Sequence, residues 1–138
     1  MEPLSRQFFD AVEYWAGEMT YGTIASLDAF NYVYEQFRPH EQECIVTYLR
    51  ELPYKTFLKT RYWYAVRLKI QANAGGRCAL CGSSATRKEI HRETYEHRGS
   101  EHLHLQDLQL LCDRCHGLIH ATAKVVAQEM KQGNKTQE

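Results

Sequence analysis

Two Cys-x-x-Cys pairs constrain the fold of this chain more than any other feature of its sequence. The pairs are Cys78 with Cys81 and Cys112 with Cys115. A tight turn with this spacing can present two thiolates to one ion, and two such turns complete the tetrahedral coordination of zinc. An ion held in this way would tie together the ends of the segment 82–111. The sequence therefore predicts a structural zinc site, with four unligated buried thiols as the alternative.

The cysteine content also bears on the compartment. Of the five cysteines, only Cys44 lies outside the pairs, and this pattern favours a metal site in a reducing environment over disulfides. No stretch of the sequence is apolar enough to span a membrane, and the N-terminus lacks the basic start and apolar run of a secretion signal. We therefore expect a soluble, cytoplasmic protein with no membrane association.

His116 and His120 follow the second cysteine pair directly and are four residues apart. Side chains at this spacing share one face of a helix. Two imidazoles, with one more ligand from the segment 82–111, would bind a metal ion and leave coordination positions for water and a phosphate oxygen. The pattern thus predicts a second, catalytic divalent cation, and the alternative is a pair of surface histidines.

The net charge of +0 hides an asymmetry between the two parts of the chain. Acidic side chains outnumber basic ones in residues 1–52, and basic side chains outnumber acidic ones in residues 53–138. A basic surface on the second part fits binding to the phosphates of DNA, although a solvated basic helix face would give the same pattern. The candidate phosphate-binding residues of this surface are Lys55, Lys59, Arg61, Arg67 and Lys69.

The periodicity of apolar residues predicts a mostly helical α+β protein. An N-terminal helix would bury Phe8, Val12, Trp15 and Met19. The other expected elements are helices over 26–37, 40–51, 60–73 and 113–130 and strands over 87–91 and 107–111. Three regions follow: an acidic helical extension over 1–53, a zinc-stapled module over 54–131 and a disordered tail over 132–138.

The second region resembles the HNH endonuclease family, in the branch that carries a zinc knuckle. The resemblance spans about 54–120 and leaves the first fifty or so residues uncovered. The matching residues that precede the first cysteine pair are Tyr54, Phe57, Leu58, Trp63 and Arg77. Its core comprises Cys78, Cys81, Ile90, His91, Thr94, Tyr95, Glu96, His97, Arg98, Gly99, Glu101, Asp107, Leu108, Leu111, Cys112, Cys115, His116 and His120.

This resemblance implies a ββα-metal fold in which one divalent cation (Mg, Mn, Ni or Zn) takes part in cutting a phosphodiester bond. By position, His91, His116 and His120 match the metal ligands, and Asp107 matches the asparagine that orients the site. Arg92 stands where the family has its general-base histidine. Since a guanidinium does not accept a proton at working pH, Arg92 would instead contact the phosphate. Arg98 would join the basic residues on the DNA backbone.

The base could then be His97, His102 or His104. A shift of the hairpin by one residue would instead make His91 the base, and loss of cleavage with retained binding is the third possibility. The sequence thus predicts a metal-dependent endonuclease acting on DNA, with a structural zinc and a second cation. The alternative is a zinc-stabilised DNA-binding or protein-interaction module that does not cleave. The N-terminal helices could bind a protein partner or form a homodimer.

Overall fold

The structure, a computed structural model, describes residues 4–22, 25–84 and 87–136, with side chains up to residue 130. The described residues form helices and two strands, followed here in chain order. The helices are α1 Leu4–Met19, α2 Leu27–Glu35, α3 Pro39–Glu51, α4 Tyr54–Phe57, α5 Arg61–Asn73 and α6 Asp113–Thr136. The strands are β1 Lys88–Arg92 and β2 Leu108–Cys112, and two short 3-10 turns, Glu101–Leu103 and Leu105–Asp107, precede β2. The predicted mostly helical α+β class is confirmed.

Local capping contacts explain where the helices begin and end. The Ser26 hydroxyl accepts a hydrogen bond from the Ala29 amide at 3.1 Å and starts α2. Thr60 accepts from the Trp63 amide at 3.0 Å and starts α5 in the same way. These contacts satisfy amides that have no partner within the first turn of a helix. Gly75 and Gly76, at φ 62° and 71°, then end α5 before the first cysteine pair.

The observed bounds differ from the predicted ones mainly at the ends of elements. Both strands lie one residue further along the chain than predicted, and the short helix α4 was not predicted. Helix α6 continues past Met130 to Thr136, so most of the predicted disordered tail over 132–138 is helical. The last two residues of that tail lie outside the described part of the chain.

One hydrophobic core joins the helices to the sheet and crosses the predicted boundary at residue 53. It is formed by buried side chains of α1–α5 and β2, with Ile90 of β1 packed against it. Its buried members include Phe9, Val12, Phe30, Ile45, Leu49, Phe57, Tyr62, Trp63, Val66, Leu108 and Leu110. The N-terminal helices therefore share a core with the segment that follows them.

The prediction that α1 buries Trp15 and Met19 is wrong. Val12 is buried, but the side chains of Trp15 and Met19 are 56% and 49% exposed. They line an open apolar groove between α1 and α2 together with Tyr32 and Phe37. Phe9 takes the inward position instead, with its ring centroid 4.8 Å from that of Tyr48 on α3. The inward face of α1 thus includes Phe9, Val12 and Ala16 rather than Trp15 and Met19.

The two strands pair antiparallel, with Ile90 opposite Leu110, His91 opposite Gln109 and Arg92 opposite Leu108. Because successive side chains of a strand point to opposite faces, Ile90 and Arg92 share one face and His91 lies on the other. The first face packs on the main core, which contains Leu108 and Leu110. The second face is covered by α6, where Leu111 packs with Ile119 and the buried cysteines. No helix of the described residues has the length and apolar character needed to cross a membrane.

Candidate metal centres

The four paired cysteines come together at one point, where they could hold a metal ion. Their Sγ atoms all lie within 4.8 Å of one another, and the Sγ atoms of Cys81 and Cys112 are 3.8 Å apart. Two sulfurs bound at about 2.3 Å to one tetrahedral zinc ion would be about 3.8 Å apart. The donor set and its spacing therefore fit the predicted structural zinc.

Backbone hydrogen bonds build the first cysteine turn and fix it to the sheet. The Gly82 amide donates to the Cys78 carbonyl at 2.9 Å, and Gly82 adopts the left-handed conformation at φ 75°. The Ala79 amide donates to the Leu110 carbonyl of β2 at 2.8 Å. Since β2 runs directly into Cys112, this contact brings the first pair to the second.

Hydrogen bonds from backbone amides also prepare the thiols for a cation. The amide of Cys81 is the main cause that lowers the pKa of the Cys78 thiol to about 6. The pKa of Cys112 is lowered by the amide of Cys115. A hydrogen bond with the thiol of Cys112, followed by burial, raises the pKa of Cys115 to about 12. A bound cation would instead favour the thiolate form, because metal binding requires deprotonated cysteines.

His91 of β1 meets His116 and His120 of α6 in a second cluster. One ring nitrogen of each lies within 4.8 Å of the other two, and the Nε2 atoms of His116 and His120 are 3.0 Å apart. Nitrogen ligands at about 2.0–2.1 Å from a tetrahedral zinc ion are roughly 3.4 Å apart, so these three imidazoles also fit one ion. Burial and the other two rings lower the pKa of His91, which favours the neutral form that binds metals.

Glu89 supports this histidine cluster, and the sequence reasoning missed it. Its Oε2 lies 2.7 Å from Nδ1 of His116, so a neutral His116 donates from Nδ1 and keeps Nε2 free for an ion. A carboxylate on the second ring nitrogen commonly orients metal-binding histidines. The signal in the sequence was the position of Glu89 two residues before His91, which places both side chains on the face of β1 that α6 covers.

Arg92, the residue that could have contacted the phosphate, lies apart from this histidine cluster. Its side chain is only 6% exposed, and its Nη1 lies 2.8 Å from Oε2 of Glu101, which is 1% exposed. The guanidinium also lies over the rings of Trp63 and Tyr95, at 5.4 and 5.2 Å from their centroids. Because Arg92 follows His91 directly, it points to the opposite face of β1 and into the core.

Glu101 connects Arg92 to the buried histidine His102. Its Oε1 accepts hydrogen bonds from the Gly99 amide at 2.9 Å and from the Tyr62 hydroxyl at 3.2 Å. The Tyr62 hydroxyl lies 2.8 Å from Nδ1 of His102, which is 5% exposed. Burial lowers the pKa of His102 to about 3. This histidine is a neutral core residue, so it cannot be the predicted base.

The Asp107 carboxylate contacts His97 rather than the histidines of the metal cluster. Its Oδ2 lies 2.5 Å from Nδ1 of His97, and the rings of His97 and His104 stack with centroids 3.6 Å apart. Asp107 was expected to orient the metal site. The structure instead brings it together with two of the three histidines that the sequence offered as the base.

The predicted phosphate-binding residues divide into two groups. Arg98 donates to the Leu52 carbonyl, and its guanidinium lies over the rings of Tyr54 and Phe57. Lys69 forms an ion pair with Asp28 of α2 at 3.0 Å. Both therefore hold the fold together in addition to carrying charge. The exposed members of the predicted surface are Lys55, Lys59, Arg61 and Arg67.

Comparison of this chain with protein-family models, with curated proteins and with solved structures finds no match.

Proposed function

We propose that this protein is a metal-dependent endonuclease of the HNH type that hydrolyses phosphodiester bonds in DNA. The observation that supports the proposal is that His91, His116 and His120 lie close enough together to bind one metal ion. Three imidazoles occupy three positions around an ion and leave the rest for substrate and water, as catalytic metal sites require. The partly exposed rings keep this side of the site accessible.

Each part of the site has a separate task in this proposal. The four cysteines hold a structural zinc that fixes the start of α6 against the sheet. His91, His116 and His120 hold a divalent cation, which would offset negative charge on the phosphate. Lys55, Lys59, Arg61 and Arg67 hold the DNA backbone without reading its sequence.

Plasmid nicking tests the proposal. Purified protein is incubated with supercoiled DNA and added manganese, nickel, magnesium or zinc, and the conversion to open circles is measured. The His116→Ala variant should lose nicking, whereas His40→Ala, which removes an exposed histidine of α3 outside the cluster, should retain it. Equal activity in wild type and His116→Ala would rule out the proposed site.

A non-cleaving DNA-binding or protein-interaction module is the second candidate. It is favoured by one observation, that a buried Arg92 occupies the position of the family's base. This candidate predicts DNA retention that weakens as salt rises, since cations on phosphates release counterions, with no nicking in any of the four metals. Retention without nicking in the wild-type protein would select it over the endonuclease.

A further inference from the structure

His97 lies, through its partner Asp107, at the end of the hairpin that carries His91. His91 pairs with Gln109, and two residues past His91 the Glu93 amide donates to the Asp107 carbonyl at 2.9 Å. Asp107 is the last residue of the 3-10 turn Leu105–Asp107 and lies two residues before Gln109. This hydrogen bond therefore fixes Asp107 beside the end of β1 that carries His91.

Asp107 gives His97 the geometry of a general base. Its carboxylate lies 2.5 Å from Nδ1 of His97, so the neutral ring carries its proton on Nδ1 and presents the lone pair of Nε2. The His104 ring, nearly parallel at 10°, fixes the plane of His97 from one side. The His97 side chain remains 31% exposed. A carboxylate that orients an imidazole in this way recurs at sites where histidine takes a proton from a nucleophile.

The other candidates for this role have different positions. His91, His116 and His120 form the metal cluster, and His102 is buried beside Tyr62. His104 lies against the ring of His97, whose Nδ1 takes the carboxylate. Arg92 points into the core. His97 is thus the one loop histidine that combines a carboxylate partner with partial exposure.

We propose that His97, oriented by Asp107, is the general base of the hydrolysis; this inference rests on the proposed endonuclease function. A water O–H bond breaks and the proton goes to Nε2 of His97, while the water oxygen forms a bond to phosphorus. The bond from phosphorus to the 3′ oxygen breaks, and that oxygen takes a proton from solvent. His97 then returns its proton to solvent. His97 would therefore replace the base that Arg92 cannot supply.

The test compares nicking rates of wild type, His97→Ala, His97→Gln and the matched control His104→Ala. Loss of a general base lowers rates by about 10²–10⁴-fold, so both His97 variants should fall in this range. His104→Ala keeps the contact between His97 and Asp107 and should lose less than about tenfold. Metal content and DNA retention should remain at wild-type values in all three variants, and thermal melting checks that each is folded.

A pH profile separates a catalytic role from a structural one. The pH dependence of the nicking rate should differ in shape between wild type and His97→Ala, and should be the same in wild type and His104→Ala. Added imidazole should restore part of the activity of His97→Ala and none of that of His116→Ala. A His97→Ala protein that nicks at the wild-type rate overturns the assignment while leaving the endonuclease intact. A wild-type protein that nicks in no metal overturns the function and the assignment together.

Discussion

The guanidinium of Arg92 and the carboxylate of Glu101 form an ion pair in the interior of the protein, with 2.8 Å between Nη1 and Oε2. The pair links β1 to the 3-10 turn Glu101–Leu103. The guanidinium also lies over the rings of Trp63 and Tyr95. A position that the family resemblance assigned to catalysis therefore serves the fold.

Removing one partner of this ion pair should destabilise the protein strongly. Arg92→Met leaves the Glu101 carboxylate buried without its cation, and such a loss costs about 3–5 kcal/mol. The double variant Arg92→Met with Glu101→Leu should recover part of this cost, because no isolated charge remains. Urea unfolding followed by circular dichroism measures both. Single and double variants of equal stability would contradict a strong coupling between the two residues.

Replacement of Gly99 should also destabilise the fold. Gly99 has φ 93°, and a Cβ there would lie 2.9 Å from the Val46 carbonyl oxygen and 3.1 Å from the Arg50 amide nitrogen of α3. Gly99→Ala would combine backbone strain of about 1–2 kcal/mol with this clash. Gly75→Ala is the matched control, because Gly75 has φ 62° and open space around it. Urea unfolding should rank Gly99→Ala well below Gly75→Ala, and equal stabilities would show that α3 can move aside.

His102 should make stability depend on pH. Its pKa is lowered to about 3 in the folded protein by burial, and an unfolded histidine has a pKa of about 6.5. Between these pH values His102 is protonated in the unfolded chain and neutral in the folded chain. The free energy of unfolding therefore falls as pH falls. The expected slope from this group is about 1.4 kcal/mol per pH unit at most.

The variant His102→Phe isolates this effect, since phenylalanine suits the aromatic surroundings of Phe30, Tyr34 and Tyr62. Unfolding free energies measured from pH 4 to 6.5 should change less with pH in this variant than in wild type. The acid sensitivity of the cysteine site is common to both proteins and cancels in the comparison. Parallel curves would mean that His102 becomes protonated without leaving the core.

The two metal sites should be separable by substitution. After refilling with zinc, wild type should contain two ions per chain by elemental analysis, and Cys112→Ser and His116→Ala should each contain one. Cys112→Ser should also lose several kcal/mol of stability, because structural zinc sites contribute their binding energy to folding. Cys44→Ser is the control that keeps both ions. One ion in the wild-type protein would remove the basis for a catalytic cation.

Glu89 should tune the affinity of the histidine cluster without being a ligand. Partners on the second nitrogen of a metal-binding histidine typically contribute about 10–100-fold in affinity. Glu89→Ala should weaken cobalt binding to this cluster by that range, and Glu89→Gln should fall between, because an amide oxygen still accepts the Nδ1 proton. Cobalt absorption titrations give the affinities, with Glu96→Gln as the control. An unchanged affinity in Glu89→Ala would contradict the supporting role.

The four cysteines and the pair His116 and His120 were visible in the sequence because their spacing is local, whereas His91 was assigned only through the family resemblance. A Cys-x-x-Cys turn can present two thiolates to one ion, and histidines four apart on a helix share a face. The helix starts at Ser26 and Thr60 follow from capping chemistry in the same way. The exposure of Trp15 and Met19 did not, because the apolar spacing of α1 also fits an inward face that contains Phe9, Val12 and Ala16.

The sequence by itself determined the two cysteine pairs, the placing of His116 and His120 on one helix face and the mostly helical class, since spacing and periodicity act over a few residues. Only the tertiary structure decided that Arg92 faces the core, that Glu89 supports His116 and that Asp107 holds His97. These three relationships depend on strand register and on the path of the loop between the strands. The strands pack against α5 and α6, and the loop is held by contacts with α3 and α5. No short stretch of sequence encodes these contacts.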